Sequence, residues 1–300
     1  MPLRRGRSVN SKCYCQNITK PPRGRGRPSM SISDAIFAIA FKACSTVSGR
    51  RFMSDLEDAY DKGYISTLPH FNTLFNYLEK PELSPILQEL ITTSALPLRA
   101  VEVDIALDSS GFTTSRFTNW FDHKYRGARE HAWVKVHLAC GVKTNIVTAV
   151  EIHDRNASDT LYLSSLLSLT AQHFHVAEVV ADKAYASYKN FDAIAKIGAT
   201  PFIPFKSNHT ASRGGLWSKA YHYYHLHRDS FLEHYHKRSN VETTFHMIKS
   251  KFLDHVFSKS EIAMRNEVYC KILCHNICCL IQSIYELGIE PDFLPEREDA

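Results

Sequence analysis

The sequence predicts an α/β protein: a mixed sheet flanked by helices, preceded by a small all-α domain and a basic arm. Three observations carry this. From residue 101 onward, short strand-like apolar runs recur, first three in succession and then alternating with helical segments. Residues 31–96 instead show only helical periodicity and helix caps. The first 28 residues hold Arg4, Arg5, Arg7, Lys12, Lys20, Arg23, Arg25 and Arg27 and no acid.

Residues 1–30 are rich in Arg, Gly, Ser and Pro and read as a disordered arm. Within it, Arg23-Gly24-Arg25-Gly26-Arg27-Pro28 resembles an AT-hook. Its glycines let an extended backbone lie in a narrow minor groove, where arginines meet enhanced negative potential. Residues 31–98 form the helical domain. Ser33-Asp34 caps a first helix ending at Ser48-Gly49, residues 52–60 form a second, and Pro69 sits in the first turn of a third. Phe71, Leu74, Phe75 and Leu78 give that helix its apolar face, with His70, Asn72, Thr73, Asn76 and Tyr77 outside. Such a polar outward face fits a helix-turn-helix reader of the major groove, and equally a plain helical bundle. Pro81, Pro85 and Pro97 mark the exit.

Residues 99–290 form the α/β domain, with 291–300 as a tail. Strands are expected at 101–107, 131–139, 146–152, 176–181 and 200–205. Helices are expected at 156–173, 187–196, 235–249 and 262–287, and residues 206–232 read as a loop-rich excursion.

The net charge is +5, so removing the arm leaves a slightly acidic body. That asymmetry points to a polyanionic partner, nucleic acid ahead of a membrane surface. The eight cysteines show no disulfide-like rhythm, and Cys13 and Cys15 lack a second pair at a zinc spacing. With no apolar leader and charged or polar interruptions in every long apolar run, the expectation is a reduced, cytoplasmic protein that does not span a membrane.

The chemistry concentrates in residues 235–249, where Arg238, Glu242 and Lys249 share a helical face and Tyr235 lies one turn earlier. Asp108 and Asp182 each follow an apolar strand, the position from which α/β proteins present an acid at the sheet's carboxyl edge. Three acids from two strands and a helix can share two divalent ions about 3.5–4 Å apart and clamp the oxygens of a phosphoryl displacement. Asp104 shares a strand face with Asp108, and helix capping accounts for Asp159.

The spacing Tyr235-x2-Arg238-x3-Glu242-x6-Lys249 resembles the signature of bacterial insertion-sequence DDE transposases of the Tyr-Arg-Glu-Lys group. Asp108-Ser-Ser-Gly-Phe and Asp182-Lys-Ala-Tyr185 look like that family's two aspartate motifs. The resemblance implies a ribonuclease-H-like core and metal-dependent cleavage and strand transfer of double-stranded DNA. It implies that Asp108, Asp182 and Glu242 hold Mg²⁺, with Mn²⁺ as substitute. Tyr235, Arg238 and Lys249 would hold the phosphates of the element's terminal inverted repeats, and Arg23, Arg25 and Arg27 would add DNA contacts. Two DNA ends imply a homodimer on DNA, in the cytoplasm and associated with the nucleoid. The rival functions are a metal-dependent nuclease on the same fold and a domesticated DNA-binding protein without catalysis. The interval between Asp182 and Glu242 is too short for a large inserted domain.

Overall fold

The computed structural model describes residues 30–114, 133–153 and 158–293. The arm with Arg23, Arg25 and Arg27, the pair Cys13 and Cys15, and tail residues 294–300 lie outside the described residues.

Four helices come first. The Ser31 hydroxyl accepts the Asp34 N–H at 3.1 Å and starts α1 (Ile32–Ser45). The Asp34 carboxylate then takes the Ser66 N–H and hydroxyl, at 3.0 and 2.5 Å, pinning the turn that leads from α2 (Gly49–Asp61) to α3 (Phe71–Leu78). On α3 the expected apolar face is corrected in part. Leu74 and Leu78 are buried, Phe75 is 38% exposed, and Tyr77, expected outside, is buried and donates its hydroxyl to the Met30 carbonyl at 3.0 Å. The proline-marked exit contains a further helix, α4 (Leu83–Ala95). Pro85 lies in its first turn, where a missing N–H leaves no intrahelical bond unmade.

The sheet comprises β1 (Asp104–Thr113), β2 (Trp133–Gly141), β3 (Val147–His153), β4 (Glu178–Ala181) and β5 (Thr200–Phe202), in the order β3-β2-β1-β4-β5. The first three pair antiparallel, and β4 and β5 add parallel to β1. Among the described residues the remaining α-helices are α5 (Leu163–Ala171), α6 (Tyr188–Lys196), α7 (Gly215–Leu226), α8 (Arg228–Tyr235), α9 (Ser239–Phe252) and α10 (Glu261–Leu287). Side-chain alternation divides the core. Ala106, Phe112, Val136, Leu138 and Val150 face α9, α10 and the N-terminal helices. Ile105, Leu107, Ala139, Ala149 and Val179 face α5, α6 and α7. The N-terminal helices therefore share one apolar core with a face of the sheet.

Three differences from the sequence reading bear on the site. First, Asp108 does not follow its strand. It lies inside a ten-residue strand that continues through Ser109-Ser110-Gly111. Gly111 belongs there because an added Cβ would fall 1.7 Å from Cε3 of Trp133 on the neighbouring strand. Glycine admits the indole rather than making a turn. Second, residues 206–232 hold two helices. Trp217 of α7 packs on Phe191 and Phe205, and Phe231 of α8 packs on Phe202 and Tyr224. Third, the cysteines are not all free, because Cys44 of α1 and Cys274 of α10 form a disulfide between helices.

Helix α10 is long and apolar enough by composition to cross a membrane, yet it is the core helix of the molecule. Its polar residues explain why. Asn276 donates to the Ile91 and Val147 carbonyls and accepts the Val147 N–H, while Gln88 and Thr92 of α4 donate to the Val150 and Thr148 carbonyls. Together they cover the open edge of β3, satisfying backbone groups that an edge strand otherwise exposes.

Candidate active site

The parallel register of β1 and β4 sets the site. Asp104 lies opposite Glu178, and Leu107 opposite Ala181. One residue further, Asp108 and Asp182 stand side by side on the face that carries α9, on adjacent chains whose usual spacing is about 4.8 Å. Asp182 ends its strand as expected and caps a 3₁₀ turn, Lys183–Tyr185, accepting the Lys183 N–H at 2.5 Å. The Asp108 carboxylate accepts the Ser109 N–H at 2.8 Å.

The stretch 235–249 is not one helix. Tyr235 ends α8, His236–Arg238 make a 3₁₀ turn, and Ser239 begins α9. The tighter turn sends consecutive side chains to different partners. Lys237 Nζ lies 2.7 Å from both Asp104 Oδ2 and Glu178 Oε2. Arg238 reaches one tier higher, donating from Nη1 to Asp108 Oδ2 at 3.1 Å and from Nη2 to Glu242 Oε1 at 2.5 Å. Its guanidinium thus joins the strand acid to the helix acid. The Tyr235 ring lies 6.0 Å from that guanidinium and stacks on Phe231. Lys249 donates to Ser110 Oγ at 2.7 Å, two residues along β1 from Asp108, with Phe112 and Phe245 beside its ammonium.

The charges act on one another. Burial raises the Asp108 carboxyl above its ordinary pKa, the Ser109 N–H and Arg238 oppose that, and Asp182 and Glu242 add to it. Burial also pushes the Lys249 ammonium down, with Asp254 in opposition. Like-charged carboxylates crowding one edge are the condition that a cation relieves. Here Arg238 is the cation between two of them. Among the described residues no three Asp, Glu, His or Cys side chains close into a metal-binding cluster as placed. The donor chemistry nonetheless suits a hard divalent ion, since Asp108, Asp182 and Glu242 supply only carboxylate oxygens.

A residue read as a helix cap has another role. Asp159 opens a 3₁₀ turn, Asp159–Leu161, on the opposite face of the sheet. Its Oδ1 accepts the Ser109 hydroxyl at 2.8 Å and lies 2.6 Å from Lys135 Nζ. Burial raises its carboxyl, but the hydrogen bonds from Lys135 and Ser109 outweigh that and hold it below the usual range. Thr160 donates to the Ala184 carbonyl at 2.6 Å, and Asn190 donates to the Thr160 and Tyr185 carbonyls. The turn thereby ties the strand residue beside Asp108 to the loop beside Asp182. Its sequence signal was the alternation of Lys135 and His137, which aims both at this face.

His137 is fully buried against Tyr162, with Asp159 Oδ1 3.6 Å from Nδ1. Burial pushes its pKa down to about 4, against the pull of Asp159, and does the same to His275, also to about 4. Unfolded, each imidazole takes a proton near pH 6.5. Between those values the unfolded chain binds more protons, so stability is expected to fall as pH drops from 6.5 to 4. The slope is up to about 1.4 kcal/mol per pH unit for each histidine. Urea denaturation across this range checks it, and His275→Asn is expected to flatten the slope relative to the unaltered chain.

Five strands ordered with three antiparallel members first and two parallel additions after, and helices on both faces, are consistent with a ribonuclease-H-like core. Comparison with protein families places the chain further: a family model described as "Transposase DDE domain" matches residues 99–277, and the chain belongs to that family. The family supports a transposase-type enzyme function, implies DNA as substrate and generally uses divalent metal ions. Comparisons with curated proteins and with solved structures returned no match.

Proposed function

We propose that this protein is a DDE transposase of the Tyr-Arg-Glu-Lys group that cuts the ends of a DNA element and joins them to target DNA. The observation that carries the proposal is the register placing Asp108 beside Asp182, with Arg238 linking Asp108 to Glu242. Asp108, Asp182 and Glu242 would hold Mg²⁺, or Mn²⁺ in its place. Bound there, the ions would activate a water or hydroxyl nucleophile and stabilise the leaving 3′-oxygen. Arg238 is the exchangeable countercharge: a DNA phosphate offers its guanidinium an alternative bidentate partner, releasing the carboxylates it now neutralises. Tyr235 and Lys249 flank the same edge and would position the phosphodiester, with the Lys249 ammonium kept on site by Ser110.

The exposed polar residues His70, which caps α3, and Asn72 and Asn76 within it fit a helix-turn-helix contact with the terminal inverted repeats. Arg23, Arg25 and Arg27 would add minor-groove and phosphate contacts whose strength falls with salt. Pairing two ends favours a homodimer on DNA, working in the cytoplasm on the nucleoid.

The test incubates the full chain with Mg²⁺ and DNA bearing the element's inverted repeats. Cut ends and joined product are expected. Cutting without joining would assign the protein as a nuclease instead. Binding without cutting, in Mg²⁺ or Mn²⁺, would mark it as a DNA-binding protein that has lost catalysis.

A further inference from the structure

Beneath the pair Asp108 and Asp182 lies a second pair of acids, four residues earlier on each strand and on the same face. Asp104 and Glu178 are direct partners in the parallel register. Unlike the upper pair, they are closed by a lysine. Lys237 Nζ lies 2.7 Å from a carboxylate oxygen of each, and His234 Nδ1 lies 2.8 Å from the other oxygen of Glu178. Both acids are largely shielded, with side chains 16% and 18% exposed, so the contacts are only weakly screened by solvent. Burial lowers the Lys237 ammonium, but the two carboxylates more than compensate and raise it overall.

The three groups joined by this clasp belong to three different elements: β1, β4 and the 3₁₀ turn that opens α9. Asp108 lies on the same β1, Asp182 follows β4 directly, and Glu242 lies on α9, which that turn opens. The same four-residue step separates Asp104 from Asp108 and Glu178 from Asp182, and Lys237 precedes Glu242 by five residues. We infer that Lys237 is a positioning residue, which sets the distance of Glu242 from the two strand aspartates by bonding all three supporting elements one tier below the site. The inference rests on the proposed metal-holding role of those acids. A clasp of charge-assisted bonds suits the task because the apolar side chains Val241, Phe245 and Ile248 pack without direction, and the directional bonds of α9 itself, from Thr244 to Asn145 and from Lys249 to Ser110, lie beyond its first turn. Arg238 of the same turn also bonds β1, through Asp108, but that is the contact proposed to exchange for a phosphate, which leaves Lys237 as the anchor that fixes where the helix begins.

The experiment measures Mn²⁺ binding to the full chain by electron paramagnetic resonance, alongside DNA cleavage. Lys237→Met is expected to weaken Mn²⁺ binding about tenfold, the loss usual when an outer support of a metal ligand is removed. It should lower kcat while leaving KM for DNA unchanged, because Lys237 faces the sheet. Lys237→Arg is expected to restore both. Should Lys237→Met fold poorly, Glu178→Gln severs one of the two ion pairs with little change in shape and should give an intermediate loss. Unchanged Mn²⁺ affinity in Lys237→Met or Glu178→Gln, beside an unaltered chain that binds Mn²⁺ and cleaves DNA, would overturn the inference alone. An unaltered chain that neither binds Mn²⁺ nor cleaves DNA would overturn the proposed function and this inference with it.

Discussion

Asp182→Asn is expected to lower DNA cleavage by roughly 10³-fold, the loss of about 4 kcal/mol of transition-state stabilisation. The substitution keeps the size of the side chain. Its amide oxygen still accepts the Lys183 N–H that starts the 3₁₀ turn, so the end of β4 has no reason to move. What disappears is one negative charge beside Asp108. The Asp108 carboxyl should therefore fall toward its ordinary pKa, since Asp182 is one of the groups that raise it. DNA binding should persist or tighten slightly, because a repulsive charge is removed from the edge proposed to bind phosphate. Cleavage assays and gel shifts on the same preparation separate the two effects. Cleavage retained within tenfold would remove Asp182 from the reacting centre. Cleavage and binding lost together would instead show that the side chain holds the fold.

Part of this arrangement is legible in the amino-acid sequence, and the residues themselves show why. Asp182 sits at a strand end because the apolar run Val179-Val180-Ala181 stops at a cap residue, a local signal. Arg238 and Glu242 are four residues apart, and that contact survives the change from α-helix to 3₁₀ turn. Asp108 was misplaced within its strand because Ser109-Ser110-Gly111 has the composition of a turn. The fact that overrides it, the indole of Trp133 lying across Gly111, comes from a strand over twenty residues away. The helices at 215–235 were missed for a similar reason. Tyr and His alternate densely there, and only packing tells which rings are inside: Trp217 and Phe231 are buried, while Leu226 is 73% exposed. Lys237 carried no signal at all in one dimension. Its meaning depends on the parallel register of β1 and β4, a pairing between residues more than seventy positions apart.

Glu267→Leu is expected to cost about 3–5 kcal/mol of folding stability, a large share of the roughly 5–15 kcal/mol typical of a folded domain. Glu267 and Lys271 lie one turn apart on α10, 7% and 1% exposed, with their charges 3.6 Å apart. Neither bonds Asp108, Asp182 or Glu242. Instead they hold the link between α9 and α10. Glu267 accepts the N–H groups of Phe257 and Ser258 at 2.9–3.1 Å, and Lys271 donates to the carbonyls of Leu253 and His255. That link in turn pairs with the end of β1, where Thr113 donates to the Asp254 carbonyl and accepts from Val256. Removing the carboxylate leaves an ammonium buried without its counterion and two backbone donors without acceptors. Lys271→Met alone should also destabilise, leaving the carboxylate uncompensated. The double variant should lose less than the sum of the two, because no buried charge then remains. What persists is the cost of the orphaned N–H groups and carbonyls, about 1–3 kcal/mol for each that stays dry. Urea denaturation of all four chains measures the coupling directly. Strictly additive losses would mean that the two charges do not interact across that turn, and that the link is held by its backbone bonds and the surrounding apolar side chains alone.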